Sequence, residues 1–99
     1  MAITVTRTDE TSHGAYHAEV AGAGGPAELT WRAMGPLRIA DHTFVPPAMR
    51  GQGVAQILVE ALVADAREHG FKIVPQCSYV AALFRRHPER ADLLATPDS

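Results

Sequence analysis

The first half of the chain alternates apolar and polar residues with the two-residue period of β-strands. Four such segments are expected, at residues 3–7, 15–21, 27–33 and 37–45. A glycine-rich stretch at residues 22–26 is typical of a hairpin loop. Pro46 and Pro47 end the fourth segment because neither residue can donate a hydrogen bond to a neighbouring strand. We therefore expect four hairpin-linked strands, with the first at an edge of the sheet.

The second half changes to the periodicity of helices. Apolar residues cover most of the circumference of a helix predicted over residues 51–69, and Gly70 is a typical helix stop. The polar stripe expected to face water consists of Gln52, Gln56, Glu60 and Arg67. Residues 71–75 predict a short buried strand. Residues 78–87 predict a second helix, and its buried face should carry Tyr79, Val80 and Phe84.

The order of these elements predicts an α+β fold. The first helix connects the fourth and fifth strands, so these two strands should run parallel with a right-handed crossover. The result is a mixed, mostly antiparallel sheet of about five strands with two main helices. At 99 residues, the chain is expected to form one domain over residues 1–99.

Composition narrows the classes of partner. A net charge of −2 argues against nucleic acid or an anionic membrane as the main partner. The one cysteine excludes an internal disulfide and fits the reducing cytosol. No secretory signal or bilayer-spanning apolar run is evident. We therefore expect a cytoplasmic protein, either a monomer or a weak homodimer.

The segment between the fourth strand and the first helix has the character of a phosphate-binding loop. Its sequence is Arg50-Gly51-Gln52-Gly53-Val54-Ala55. Gly51 and Gly53 let a ligand approach the backbone closely, and the first turn of a helix presents unpaired N–H groups to an anion. Arg50 adds a guanidinium that can bind phosphate oxygens in pairs. A simpler interpretation is that the two glycines only shape the start of the helix.

Two other phosphate-binding motifs do not fit the spacing. A Walker loop requires a lysine beside its last glycine, whereas the one lysine of the chain is Lys72. A dinucleotide-binding fingerprint requires a third glycine or alanine where Gln56 stands. The pattern Gln/Arg-x-x-Gly-x-Gly/Ala instead resembles the acyl-CoA pyrophosphate loop of the GNAT acetyltransferase superfamily.

Two further motifs strengthen this resemblance. His-Thr-aromatic-Val-Pro occupies residues 42–46, and Pro-x-Cys-x-aromatic-Val occupies residues 75–80. Together with the loop, they make residues 37–94 similar to a branch of minimal, single-domain GNAT-like proteins. The resemblance implies a GNAT-like fold, acetyl-CoA or coenzyme A as co-substrate, and an amine acceptor that the sequence does not name. It also implies that the fourth and fifth strands splay apart, so that the pantetheine arm enters between them.

The resemblance also implies which residues carry the site. The fourth strand should hydrogen-bond the pantetheine amides, and the loop should bind the pyrophosphate. Contacts to the cofactor are expected from Thr43, Phe44, Val45, Arg50, Gly51, Gln52, Gly53, Val54, Ala55 and Ser78. Ser78 is also a candidate N-cap of the second helix.

Two residues are candidates for the chemistry itself. Cys77 precedes the second helix, whose N-terminus lowers a thiol pKa, so it is a candidate acetyl relay or general acid. A buried, inert cysteine is the alternative. His42 is a candidate general base, because histidines often serve in that role near neutral pH, but the strand register that decides which face it takes is open. The histidines and Cys77 show no metal-ligand spacing apart from His13 and His17 beside a turn, so no metal is expected.

Three functions follow from these residues. The first is an acetyl-CoA-dependent N-acetyltransferase that acts on an unidentified amine. The second is a CoA or acyl-CoA binding module with little catalysis, because the fourth strand carries no glutamate of the kind that serves as base in many GNAT enzymes. The third is a structural or interaction domain in which the loop serves packing alone.

Overall fold

The computed structural model describes residues 3–20, 26–51 and 53–95. Its strands are β1 Ile3–Asp9, β2 His13–Val20, β3 Ala27–Met34, β4 Leu37–Phe44 and β5 Lys72–Pro75. Its helices are α1 Val54–His69 and α2 Ser78–Arg86, with 3₁₀ turns at Pro47–Met49 and Pro88–Leu93. The predicted α+β class is confirmed. Gln52, residues 96–99 and most of the expected loop at residues 22–26 lie outside the described part.

The sheet has the order β1-β2-β3-β4-β5. The first three pairings are antiparallel and the last, β4 with β5, is parallel, as the crossover through α1 requires. β1 lies at the edge, as predicted. Alternation along β2 and β3 buries Tyr16, Leu29 and Trp31 on one face of the sheet.

Both helices pack on the face of the sheet that carries Leu29 and Trp31, which we call the core face, and they share one core with it. The core includes Leu58, Leu62 and Val80 from the helices beside Leu29 of the sheet. The opposite face, on which Thr30 and Arg32 lie, carries mainly polar residues, and we call it the open face. Within the described ranges, no helix combines the length and the apolarity that crossing a membrane requires.

The first helix starts later than predicted. It begins at Val54 instead of residue 51, because Gly51 and Gly53 have φ angles of +83° and +73°. This left-handed conformation cannot continue a right-handed helix and suits glycine. Its end at Gly70, with φ of +78°, is as predicted.

The buried face of the second helix also differs from the prediction. Val80 and Phe84 are buried, but Tyr79 is 41% exposed, and Leu83 contributes to the core instead. Positions 80, 83 and 84 follow the three- and four-residue spacing of one helical face, which position 79 does not share with residue 84. The prediction of Tyr79 as a core residue was therefore wrong.

A β-bulge interrupts the pairing of β3 with β4. Trp31 lies opposite Ala40, whereas the preceding Thr30 lies opposite His42, so Asp41 is the additional residue. Without the bulge, His42 would share the core face of Ala40. With it, Thr43 lies opposite the buried Leu29 and takes the core face, and His42 takes the open face.

One carboxylate is buried on the core face. Asp65 of α1 is 8% exposed and accepts hydrogen bonds from the Tyr16 hydroxyl at 2.7 Å and from Arg7 Nε at 2.9 Å. Burial raises the pKa of Tyr16, and its hydrogen bond to Asp65 raises the pKa further, so the phenol stays protonated. Asp65 thus anchors α1 to β1 and β2.

Replacing Asp65 with alanine should destabilise the fold. The change leaves the buried Tyr16 hydroxyl without its acceptor, and an unsatisfied buried polar group costs about 1–3 kcal/mol. Urea unfolding followed by circular dichroism measures the effect. The control is Glu68→Ala on the same helix, whose side chain is 72% exposed, and it should change the stability by less than about 0.5 kcal/mol. Equal midpoints for both variants would contradict this assignment.

Candidate functional site

The two parallel strands separate at the end where α1 begins. Backbone pairing of β4 with β5 runs from Leu37–Lys72 to Ala40–Pro75, while β4 itself continues to Phe44. The last backbone contact across this boundary is the Cys77 N–H, which donates to the Ala40 carbonyl at 2.9 Å. Beyond it, residues 41–44 of β4 have no partner on β5, and we call the space between this edge and the start of α2 the gap.

A cleft of about 330 Å³ opens beside this end of β4. Its walls come from the end of β4, the following loop, the first turn of α1 and one residue of α2. They are Thr43, Phe44, Val45, Met49, Arg50, Gly51, Gly53, Val54, Ala55 and Tyr79. The structure thus brings together all the described residues predicted to contact a cofactor, apart from Ser78.

The loop and the helix start form the polar end of the cleft. Gly53 is the N-cap of α1, and the first helical hydrogen bond runs from the Ile57 N–H to the Gly53 carbonyl. The N–H groups of the preceding turn have no partner within the helix, by the geometry of any α-helix. Arg50 folds back over the loop, and its Nε donates to the Val45 carbonyl at 3.1 Å. These donors favour a ligand that carries negative charge.

Cys77 lies at the junction of β5, α2 and the end of β4. It is the N-cap of α2, so the prediction of Ser78 in that role was wrong. Its Sγ–H donates to Thr43 Oγ1 at 3.5 Å, and the Cys77 residue is partly buried. Because the bulge turns Thr43 to the core face, the hydroxyl reaches the thiol from β4.

These surroundings favour the thiolate form of Cys77. Burial by itself raises the pKa of the thiol, but the Thr43 hydroxyl and the backbone of Val80 and Tyr79 outweigh it. The pKa therefore lies below its ordinary value. These backbone groups belong to the first turn of α2. The Cys77 side chain forms no regular capping hydrogen bond with them.

The structure does not place His42 on the same face of the sheet as Cys77. His42 lies opposite Thr30 on the open face and is exposed to solvent. Thr43, which contacts the thiol, lies on the core face. The two candidate catalytic residues therefore border the gap from opposite faces. Ser78 is exposed outside the cleft lining, and the roles of all three stay predictions.

Sequence reasoning missed two contributors to the cleft, Met49 and Tyr79. Met49 is buried beneath the loop and belongs to an unpredicted 3₁₀ turn. The pair of prolines before it, which suit the first turn of a helix, was the available signal. Tyr79 could have been recognised as exposed from its phase relative to Val80 and Phe84.

One group of residues of the kinds that bind metals lies at the far end of α1. Ligand atoms of Asp65, Glu68 and His69 lie within 4.8 Å of one another. Asp65 already accepts hydrogen bonds from Arg7 and Tyr16. These bonds account for its buried carboxylate, and we assign no metal to the group.

The contact between Thr43 and Cys77 predicts how the thiol should respond to substitution. In Thr43→Val the hydroxyl that supports the thiolate is lost, so the pKa of Cys77 should rise and its alkylation at neutral pH should slow several-fold. The pH dependence of iodoacetamide labelling measures this change, and the protein has only one cysteine to label. Thr43→Ser keeps the hydroxyl and should retain the wild-type profile. Coincident profiles for Thr43→Val and the wild type would contradict the assignment.

Comparisons with known proteins identify the family. The chain is similar to a GCN5-like candidate N-acetyltransferase from Staphylococcus aureus, studied in solution by NMR, with a TM-score of 0.71 and 26% identity. The similarity covers 93% of this chain and 87% of that chain. A sequence model of the GCN5-related N-acetyltransferase family matches residues 15–93. Because that match spans most of the chain, the protein belongs to the GCN5-related N-acetyltransferase family.

Proposed function

We propose that this protein binds acetyl-CoA in the cleft beside β4 and transfers the acetyl group to an amine. The observation that carries the proposal is the convergence of three features at one gap. They are the free edge of β4, the donor-rich start of α1 with Arg50, and the activated thiol of Cys77. Family membership supports acyl transfer as the class of reaction.

Each part of the cofactor has a matching part of the cleft. The pyrophosphate fits the first turn of α1 and the Arg50 guanidinium, because both supply donors and positive charge. The pantetheine amides fit the edge of β4 at Thr43–Val45, which can accept an added strand-like partner. The thioester then lies at the gap, near Cys77. The cleft volume of about 330 Å³ lies in the range of small-molecule binding sites.

Acetyl transfer replaces the bond between the acetyl carbonyl carbon and the CoA sulfur with a bond to the nitrogen of the amine. In the relay, the Cys77 thiolate attacks the thioester carbonyl, the bond from that carbon to the CoA sulfur breaks, and the CoA thiolate takes up a proton. The amine nitrogen then attacks acetyl-Cys77, loses a proton and releases the thiolate. In direct transfer, the amine attacks the thioester itself, and the Cys77 thiol gives its proton to the departing CoA sulfur.

His42 is proposed to serve the acceptor side. It faces the open face of the sheet, where both helices are absent and an amine can reach the gap from solvent. A histidine imidazole can accept a proton from an amine as a general base. In this arrangement, cofactor and acceptor approach the thioester carbon from opposite faces.

One observation favours the second candidate function, an acyl-CoA binding module. Asp41 is the one carboxylate of β4, and it already accepts hydrogen bonds from Thr30 and Arg32. Both oxygens of this carboxylate are therefore engaged in hydrogen bonds before an amine arrives. The protein would then bind acetyl-CoA with full affinity but would not transfer its acetyl group.

Binding is tested by calorimetric titration with acetyl-CoA. We expect saturable one-to-one binding that Arg50→Ala weakens about tenfold to a hundredfold, the value of a charge-assisted hydrogen bond to phosphate. Gly53→Asp should weaken binding further, because it adds negative charge and strains a left-handed position. Arg67→Ala, in the last turn of α1 and about 20 Å from its start, is the matched control. Binding that Arg50→Ala and Gly53→Asp leave unchanged would refute this placement of the cofactor.

Turnover is tested by following free CoA chromatographically with a panel of small and peptide amines. Cys77→Ala should lower the rate about a hundredfold or more if the thiol acts as relay or general acid, while the Kd for acetyl-CoA stays near wild type. A relay also predicts acetyl-Cys77 by mass spectrometry when the amine is omitted. His42→Ala should lower the rate about tenfold or more if the imidazole takes the amine proton.

The outcomes separate the candidate functions. Tight binding of acetyl-CoA without release above background would favour the binding module over the enzyme. A rate unchanged in Cys77→Ala would exclude both roles of the cysteine and leave direct transfer without it. A rate unchanged in His42→Ala would exclude the histidine as base.

A further inference from the structure

The gap between β4 and α2 is bridged on the open face by a side chain that belongs to neither element. Arg32 lies on β3, and its side chain is 51% exposed. Its Nε donates to Asp41 Oδ2 at 3.1 Å, and its Nη2 donates to Gln76 Oε1 at 3.1 Å. Asp41 is the additional residue of the β4 bulge, and Gln76 immediately precedes Cys77.

The two partners of Arg32 mark the two sides of the gap. Thr30 Oγ1 donates to Asp41 Oδ1 at 2.5 Å and fixes the carboxylate from the same side as Arg32. On the other side, residues 76–77 connect β5 to α2, and we call them the connector. The Gln76 N–H donates to the Val74 carbonyl at 3.0 Å, so the connector leaves β5 in a tight turn. The Arg32 guanidinium thus joins Asp41 of the bulge to Gln76 of the connector.

The planar shape of guanidinium is what makes this bridge possible. Its nitrogen atoms point outward in a rigid fork, so one side chain can donate to two acceptors at a set separation. A lysine ammonium is a single point charge and cannot hold both acceptors in the same way. The bridge is also largely solvated, and exposed ion pairs contribute little to the free energy of unfolding. Its effect should therefore appear in the geometry of the gap more than in stability.

We propose that Arg32 is a positioning residue for acyl transfer, which sets the distance between the β4 bulge and Cys77 by bridging Asp41 to Gln76. The inference rests on the proposed function, because the gap is where the thioester is placed. A displacement of about 1 Å between reacting groups can cost on the order of a hundredfold in rate. The bridge does not touch the cleft that would hold the cofactor, so affinity for acetyl-CoA should not depend on it.

The kinetic test separates positioning from binding. Arg32→Ala, Arg32→Lys and Gln76→Ala should each lower kcat for CoA release about tenfold or more, while the KM and the calorimetric Kd for acetyl-CoA stay within about twofold. Gln76→Glu keeps an acceptor for Arg32 and should retain most of the wild-type kcat. The double variant Arg32→Ala/Gln76→Ala should be no slower than Arg32→Ala, since Arg32→Ala already removes the contact to Gln76.

A matched control is present on the other side of the molecule. Arg67 has a side chain about as exposed as that of Arg32, and its Nη1 lies 3.4 Å from Asp92 Oδ2, so Arg67→Ala should leave kcat, KM and Kd unchanged. A kcat within about twofold of wild type in both Arg32→Ala and Gln76→Ala would overturn the inference, as would a Kd that weakens in step with kcat.

A second measurement needs no turnover. The Cys77 N–H donates to Ala40 across the gap, so its hydrogen exchange reports how firmly the connector is held to β4. Exchange of this amide should quicken about tenfold in Arg32→Ala, while the Gly70 N–H, bonded to Ala66, should be unchanged. If the wild type releases no CoA, the proposed enzyme activity fails. Faster exchange would then still support the bridge, and unchanged exchange would overturn it.

Discussion

The additional residue in β4 is the constraint on which the candidate site depends. Up to Ala40 the strand pairs regularly on both sides, with β3 and with β5. Asp41 then enters without a partner on β3, and every later side chain of the strand changes face. Thr43 therefore meets Cys77 on the core face, and His42 faces solvent. A regular strand would exchange the two, which would remove the hydroxyl from the thiol.

The sheet can open at one end because it is closed at the other. At the closed end, Arg38 lies over the rings of Trp31 and Phe71, with distances of 4.0 and 4.1 Å to the ring centroids. Cation–π contacts of this kind, together with the Lys72 N–H that donates to Pro36, hold β4 and β5 together where they first pair. At the open end the strands separate, and backbone groups become available to a ligand. The first half of β4 thus contributes to stability, and its second half borders the candidate cleft.

Cys77 shows how a site can arise from segments that are distant in sequence. Its backbone is tied to Ala40 of β4, its thiol to Thr43, and its neighbour Gln76 to Arg32 of β3. The first turn of α2 supplies the amide dipoles that favour a thiolate. Each of these contacts is modest by itself. Burial by itself raises the pKa of this thiol, and the Thr43 hydroxyl together with the backbone at the start of α2 outweighs burial, so the pKa of Cys77 is lowered.

The sequence alone was enough to predict the order and type of the strands and main helices, the edge position of β1, the parallel crossover and the glycine loop before α1. These features follow from local properties: hydrophobic period, the prolines that end β4, and glycines beside Arg50. The tertiary structure was needed for the starting residue of α1, the burial of Asp65 and the faces taken by Thr43 and His42. A bulge leaves no mark in the hydrophobic pattern of one strand, because it is a property of the pairing between two strands. The bridge from Arg32 to Gln76 was hidden for the same reason, since it joins residues that only the folded sheet brings into contact.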